Sequence, residues 1–297
     1  MQRFVIILAL FFVLSPWARA ESIALILNDD SPPFREFASQ LEETLRGSDW
    51  HIKYRGSSRQ NTPNGKFDLI ITAGGEALRS ILNSNPRSPV LATLITEANF
   101  RTLLTSQRVP VETSAIVLDQ PPHRQTRLIR LMFPEAKQIG MLFSPQSASQ
   151  RSSFLTELNR QTLQLQSEIV SSEEQVVPAI DQLLARGDLL LAHPDTAIYS
   201  RNTIKPIFIT AYRHRRPVVA FSATLARAGA VVALYSTPTQ IGEQTGKHLL
   251  NRFKPDNAIL YPKHFSLDIN QSVAESFGLR LPEANELLQR LMMAEKP

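Results

Sequence analysis

Between Asp188 and Ser236 the chain passes through three short apolar stretches, Leu189–Ala192, Val218–Phe221 and Ala230–Tyr235, with one helical segment between the first two. Each stretch ends in small polar or turn-forming residues: His193-Pro194-Asp195, Ser222-Ala223-Thr224 and Ser236-Thr237-Pro238. Unbroken apolar runs separated by helices are what a parallel sheet covered on both faces requires. Ligands of such sheets lodge just beyond the carboxyl ends of the strands. The three stops are therefore the first places to look for a site.

The same alternation extends over the chain. Strands are predicted at Ser22–Leu27, Trp50–Tyr54, Phe67–Thr72, Pro89–Leu94 and Ser114–Leu118. A helix is predicted over Phe34–Leu45, whose Phe34, Phe37, Leu41 and Leu45 share one stripe. Another opens at Ala73-Gly74-Gly75-Glu76. The pattern restarts with a helix over Arg124–Phe133, a strand over Gln138–Phe143, an amphipathic segment over Phe154–Gln166, a short strand over Glu168–Val170 and a helix over Val177–Arg186. Beyond Ser236 it predicts helices over Ile241–Phe253, Ser272–Phe277 and Glu283–Met293, with a strand over Phe265–Ile269. This is α/β architecture in two similar units, joined by strand-like crossings rather than a flexible tether.

The first 20 residues stand apart. Arg3 precedes the apolar run Phe4–Leu14, Ser15-Pro16 breaks it, and Ala18-Arg19-Ala20 has the small-x-small form of a cleavage site. The run falls short of the about 20 residues that span a bilayer, so a cleaved secretory leader is expected, with a periplasmic mature protein. The chain has no Cys, which excludes a lipid-modified Cys and any disulfide framework. The net charge of +5 loses Arg3 and Arg19 with the leader, and the about +3 that remains is scattered. Nucleic acid and anionic membrane are poor partners for such a surface.

Four segments carry a family resemblance: LDQPPHRQTRLIRLMFPEAKQIGMLFSP, DLLLAHPDTAIYS, RPVVAFSATLARAGAVVALYSTPTQIGEQTG and YPKHFSLDINQSVAESFGLRLP, in that order. The chain resembles the substrate-binding proteins of ABC transporters with the type 1 periplasmic-binding fold, in the branch related to tryptophan- and tyrosine-type binding proteins. The likeness covers Thr113–Pro282 and is weaker over Ser22–Thr105. It implies two Rossmann-like lobes, each a parallel sheet flanked by helices, joined by three crossover segments, with one ligand clamped between them by hinge closure. By analogy the first lobe is Glu21–Leu118 plus Ala230–Lys254, and the second Asp119–Gly229 plus Pro255–Pro297. The implied partners are a small polar or amino-acid-like ligand and an inner-membrane ABC permease. A monomer is expected. The same fold also serves ligand sensing beside a membrane receptor.

Each candidate ligand contact has a structural alternative. Asp195 could hold a ligand ammonium or form an Asx turn. Ser144 and Ser147 could donate to a ligand carboxylate or cap a helix. Gly74 and Gly75 could bring backbone amides to an anion or form a tight strand–helix turn. Glu76 could counter a cation or complement a helix dipole. Asp119 and Gln120 lie at a proposed crossing, facing the cleft or initiating a turn before Pro121-Pro122. Ser222 and Tyr235 also end strands; Tyr235 could stack on a ring or sit in the core. Ser31 follows the first strand and could face the cleft. The basic run Arg213–Arg216 is explained by solvation and dipole complementation.

An enzyme is not expected. The six His are scattered, none forms a close metal-ligand pair, and G-x-S-x-G and phosphate-loop patterns are missing. His193 beside Asp195 is geometrically able to share a proton, but nothing near it in sequence supplies a nucleophile. No cofactor and no metal are expected.

Overall fold

The computed structural model describes residues 21–295 except 60–62, 64, 108, 110 and 252–255. The leader expected over Met1–Ala20 lies outside the described residues, as do the end of the helix expected to reach Phe253 and the boundary expected at Lys254–Pro255.

The first unit runs β1 (Glu21–Leu27), α1 (Pro32–Leu45), β2 (Trp50–Ser57), β3 (Leu69–Ala73), α2 (Gly75–Asn83), β4 (Val90–Ile95), α3 (Glu97–Ser106) and β5 (Thr113–Val117). The second runs α4 (Pro122–Met132), β6 (Gln138–Phe143), a 3-10 turn at Ala148–Gln150, α5 (Arg151–Arg160), β7 (Gln164–Ile169) and α6 (Glu173–Arg186). It continues with β8 (Leu189–Leu191), α7 (Ile204–Arg213), β9 (Val218–Ala220), α8 (Ala223–Ala228) and β10 (Val232–Tyr235). The chain then returns through α9 (Pro238–Leu250) and β11 (Ile259–Leu260), and ends in β12 (Ser266–Ile269), α10 (Gln271–Ser276) and α11 (Ala284–Met293).

Two six-stranded sheets result, ordered β11-β5-β4-β3-β1-β2 and β12-β10-β9-β8-β6-β7. Strand periodicity explains why each is buried on both faces. Along β1, Ile23, Leu25 and Leu27 pack with Phe37, Leu41 and Ile241. The alternate residues Ala24 and Ile26 pack with Leu78, Ile81 and Phe100. Pairing is parallel except at β12, which runs antiparallel to β10 with Val232 opposite Ile269.

Sheet membership corrects the expected crossing points. Val232–Tyr235 pairs with Val219–Ala220 and with Ser266–Ile269, so the chain leaves the second unit after Tyr235, not at Gly229–Ala230. Helix α9 then docks on α1 so closely that a Cβ on Gly242 would stand 2.6 Å from the Phe37 carbonyl oxygen. Ile259–Leu260 pairs with Ala115–Ile116 in the first sheet, so the last crossing follows Leu260. The apolar run Ala230–Tyr235 was a strand of the unit it left, not of the one it entered.

Three elements escaped the sequence pattern: α3, α8 and β11. The segment expected to be amphipathic to Gln166 ends as helix at Arg160. Thr162 then takes a left-handed φ of 57°, and Gln164–Ile169 pairs with Gln138–Phe143. This edge strand, QLQSEI, is too polar to announce itself.

Candidate functional site

A cavity of about 270 Å³ opens between the two sheets, walled by Glu97 and Arg101 of α3, Asp119 and Gln120 of the first crossing, Gln150, Phe154 and His193 of the second unit, and Tyr261 of the last crossing. A local irregularity in β4 places Glu97. The β4–β5 register shifts between Thr93 and Ile95, and Leu94 carries a φ of 48°, a strained value for a side chain of its size. The chain then turns into α3, with the Thr96 hydroxyl capping the Asn99 amide at 3.2 Å.

Asp119 follows β5 and is 4% exposed. Its carboxylate accepts from the Glu97 amide at 2.7 Å and from Gln150 Nε2 at 3.3 Å. Burial raises its pKa to about 7, with the Glu97 charge adding to the rise against those two hydrogen bonds. Glu97, also buried, accepts from Arg101 Nε at 2.8 Å and from the Tyr261 hydroxyl at 2.7 Å. Burial, and the acceptor Glu97 beside it, push the Tyr261 phenol up.

His193 is 1% exposed, with its ring 4.9 Å from that of Phe143 and 6.0 Å from that of Phe154. Burial lowers its pKa, so the ring is neutral and its Nε2–H donates to the Leu142 carbonyl at 2.9 Å. That tautomer leaves Nδ1 a bare acceptor, and Nδ1 has no partner among the described residues. Gln150 Oε1 is likewise buried without a partner. The ring is thus satisfied at one nitrogen only.

Beneath the cavity the three crossings are stitched together. Gln120 Nε2 donates to Ser236 Oγ at 2.9 Å, and Ser236 Oγ donates to the His264 carbonyl at 2.6 Å. Buried Arg124 donates to Gln120 Oε1 at 2.6 Å and to the Pro262 carbonyl at 2.9 Å. Its remaining edge pairs with Glu295, and its guanidinium lies 4.1 Å from the Phe265 ring centre.

Among the residues singled out by sequence, Asp119 and Gln120 line this cavity. Ser144, Ser147 and Asp195 form a separate buried cluster. Asp195 accepts from Ser147 Oγ at 2.6 Å, the Ser144 amide at 3.1 Å and the Ala197 amide at 3.0 Å. Burial works to raise the Asp195 pKa, but these bonds and nearby His193 outweigh it and hold it below the usual carboxylate range. Ser31 precedes α1, its amide bonded to Asp29 Oδ1 at 2.8 Å. Gly74 takes a left-handed φ of 101°, where a Cβ would meet Asn28 at 2.8 Å. Gly75 and Glu76 open α2; the Glu76 amide donates to Asn28 Oδ1 at 3.0 Å and its carboxylate meets Arg79 on the surface. Ser222 caps α8 through the Leu225 amide at 3.3 Å. Tyr235 donates to Asp268 at 3.2 Å. None of these nine lines the cavity.

The sequence reading missed Glu97, Arg101, Gln150 and Tyr261. Glu97 had an available signal, an acidic residue at the first position of a helix after a Thr cap. Tyr261 had none, because β11 is two residues long. Among the described residues no three His, Asp or Glu are grouped to hold a metal, and no helix is long and apolar enough to cross a membrane.

A family model for ABC transporter substrate binding proteins matches residues 59–290. Solved structures are similar over nearly the whole chain. An ABC domain from Streptococcus pneumonia in complex with L-Trp is 18% identical with a TM-score of 0.63, covering 91% of this chain and 97% of its own. A ligand-free, open substrate binding protein with adhesive properties from Clostridium difficile is 15% identical with a TM-score of 0.66, covering 89% and 96%. A periplasmic ribose ABC transporter protein from Conexibacter woesei is 11% identical with a TM-score of 0.52, covering 90% and 97%. Likeness at this identity concerns the fold, which is the two-lobed α/β type 1 periplasmic-binding architecture. No curated protein matches the chain.

Proposed function

The chain belongs to the family of ABC transporter substrate-binding proteins, a family of binders rather than enzymes, and from that premise we propose that it captures a small polar ligand between its lobes and delivers it to an inner-membrane ABC permease. The observation that carries this reading is the cavity whose wall draws on helices and loops of both units and on two of the three crossings. A ligand touching Glu97 and Tyr261 on one side and Gln150 and His193 on the other gains all its contacts only when the lobes are together. It therefore favours the closed arrangement by the difference in its affinity for the two states. Asp119 and Gln120, at the first crossing, are the residues we assign to the ligand at the hinge. Export through a cleaved leader and action in the periplasm as a monomer complete the reading.

The test is a thermal-shift screen of the mature protein against amino acids, amines, sugars, nucleosides and small anions, followed by solution scattering with any hit. A ligand that binds only the folded state raises the melting temperature, by a stabilisation of about 2.7 kcal/mol at a hundredfold excess over Kd. The expected outcome is a saturable shift with a smaller radius of gyration. A panel in which no compound shifts the transition would remove the solute-binding reading.

A further inference from the structure

Resting on the reading of this cavity as the ligand site, we propose that its occupant is an organic cation, presenting a primary ammonium group to Asp119, Gln150 and His193. Charge comes first. The wall holds two carboxyls, Asp119 and Glu97, and one cation, Arg101. Arg101 is already committed to Glu97, with Nη2 at 2.8 Å. No ion pair to Asp119 is found among the described residues, although it lies 4% exposed. A buried carboxylate without a counter-charge is unfavourable, and a cation from the ligand removes that penalty.

Hydrogen-bonding capacity selects further. His193 Nδ1 and Gln150 Oε1 are both buried acceptors without partners among the described residues, and both residues line the same cavity as Asp119. An ammonium group has three N–H donors and no lone pair to satisfy, which complements three acceptors. A hydroxyl brings lone pairs as well as a proton, and the Tyr261 hydroxyl and the Nε and Nη2 of Arg101 already serve Glu97. A carboxylate would meet Asp119 and Glu97 at close range. Sugars, anions and zwitterionic amino acids are therefore the weaker fits.

The cation requires Asp119 in its ionised form, so binding is linked to proton release. The groups facing Asp119 are Glu97 and Arg101 from α3, Gln150 from the 3-10 turn, His193 after β8 and Tyr261 from the last crossing. Burial keeps His193 neutral and pushes the Tyr261 phenol up, whereas Asp119 changes charge near pH 7.

The experiment is calorimetric titration of the mature protein with a panel of primary amines, including ethanolamine and putrescine. Each is paired with the matching alcohol, and glycine and L-tryptophan serve as zwitterions. We expect an amine to bind at pH 8, its alcohol counterpart to bind at least about tenfold more weakly, and the amine to bind about tenfold more weakly at pH 6. Asp119→Asn is expected to weaken the amine by roughly ten- to a hundredfold. Gln150→Leu, expected to weaken it severalfold, carries the test if Asp119→Asn does not fold. Alcohols or zwitterions binding as tightly as amines, or amine binding indifferent to both substitutions, would overturn the cation assignment while leaving solute binding in place. Binding by no compound of any class would sink both.

Discussion

Two buried aspartates, one at the first crossing and one inside the second unit, follow strands in similar sequence settings yet meet opposite environments. Asp195, 5% exposed, lies next to Pro194 and receives three strong donors from its own unit, Ser147 Oγ and the Ser144 and Ala197 amides. Asp119, 4% exposed, lies two residues before Pro121 and receives one short bond from Glu97 and one long one from Gln150. The first carboxyl is held below the ordinary range and the second is raised to about 7. Both residues are almost closed to solvent, although the Asp119 carboxyl is the more deeply embedded of the two, so low exposure alone does not mark a site. Depth and the number of donors the surrounding chain supplies together separate the two, and it is the deeper, under-supplied carboxyl that lines the cavity between the units.

The largest effect that could break this comparison is on folding. Asp195→Ala takes the charged acceptor from the buried Ser147 hydroxyl and Ser144 amide, which keep only each other and the Ser144 carbonyl, and from the amide of exposed Ala197. A donor left unsatisfied in the interior costs about 1–3 kcal/mol. A destabilisation of about 2–4 kcal/mol is expected, read as a lower urea midpoint with an unchanged slope. A loss below about 1 kcal/mol would mean that solvent or the neighbouring chain replaces the carboxylate. Asp195 would then no longer count as structural.

A smaller effect, of opposite sign for the two residues, is the pH dependence of stability. For Asp119 the folded pKa lies above the ordinary 3.8. Between about pH 4 and pH 7 the unfolded chain has released this proton and the folded chain retains it, so rising pH favours unfolding. The unliganded protein is expected to lose ~1–3 kcal/mol across that interval through this group, with no further loss above pH 7. Asp195 acts the other way. Its lowered pKa contributes stability above pH 4 that disappears as pH falls below it. Subtracting the urea-derived stability curve of Asp119→Asn from that of the unsubstituted protein isolates the first contribution. A flat difference curve would refute the contrast.

Much of the fold is legible in sequence because both sheets are buried on both faces and their central strands are bare apolar runs, such as LIITA of β3 and VVA of β9. Edges are less legible, since a half-exposed strand like QLQSEI of β7 and a two-residue strand like β11 carry no such run. The crossing points were misplaced because a strand's apolar run does not reveal which sheet it joins. That is decided by pairing partners at long range, here Val219–Ala220 and Ser266–Ile269 for β10. The site is legible only in part for the same reason. Asp119 and Gln120 stand out beside Pro121-Pro122, whereas Glu97, Gln150, His193 and Tyr261 come together from four separate segments. Whether a polar atom such as His193 Nδ1 finds a partner depends on chain 51 residues away in sequence, where Leu142 takes the other nitrogen.

The smallest expected effect concerns Glu97, which stands between the two extremes: buried like both aspartates, but matched by Arg101 and by the Tyr261 hydroxyl at 2.7 Å. Tyr261→Phe removes one donor and leaves the ion pair, so a destabilisation of about 1 kcal/mol is expected at neutral pH. The lost donor also leaves more of the Glu97 charge acting on Asp119, whose pKa that charge already raises. The upper end of the pH-dependent stability loss should therefore move to higher pH in the variant. Movement to lower pH would place the Tyr261 hydroxyl among the groups that keep Asp119 protonated, and Asp119 would then be the better-supplied carboxyl of the cavity.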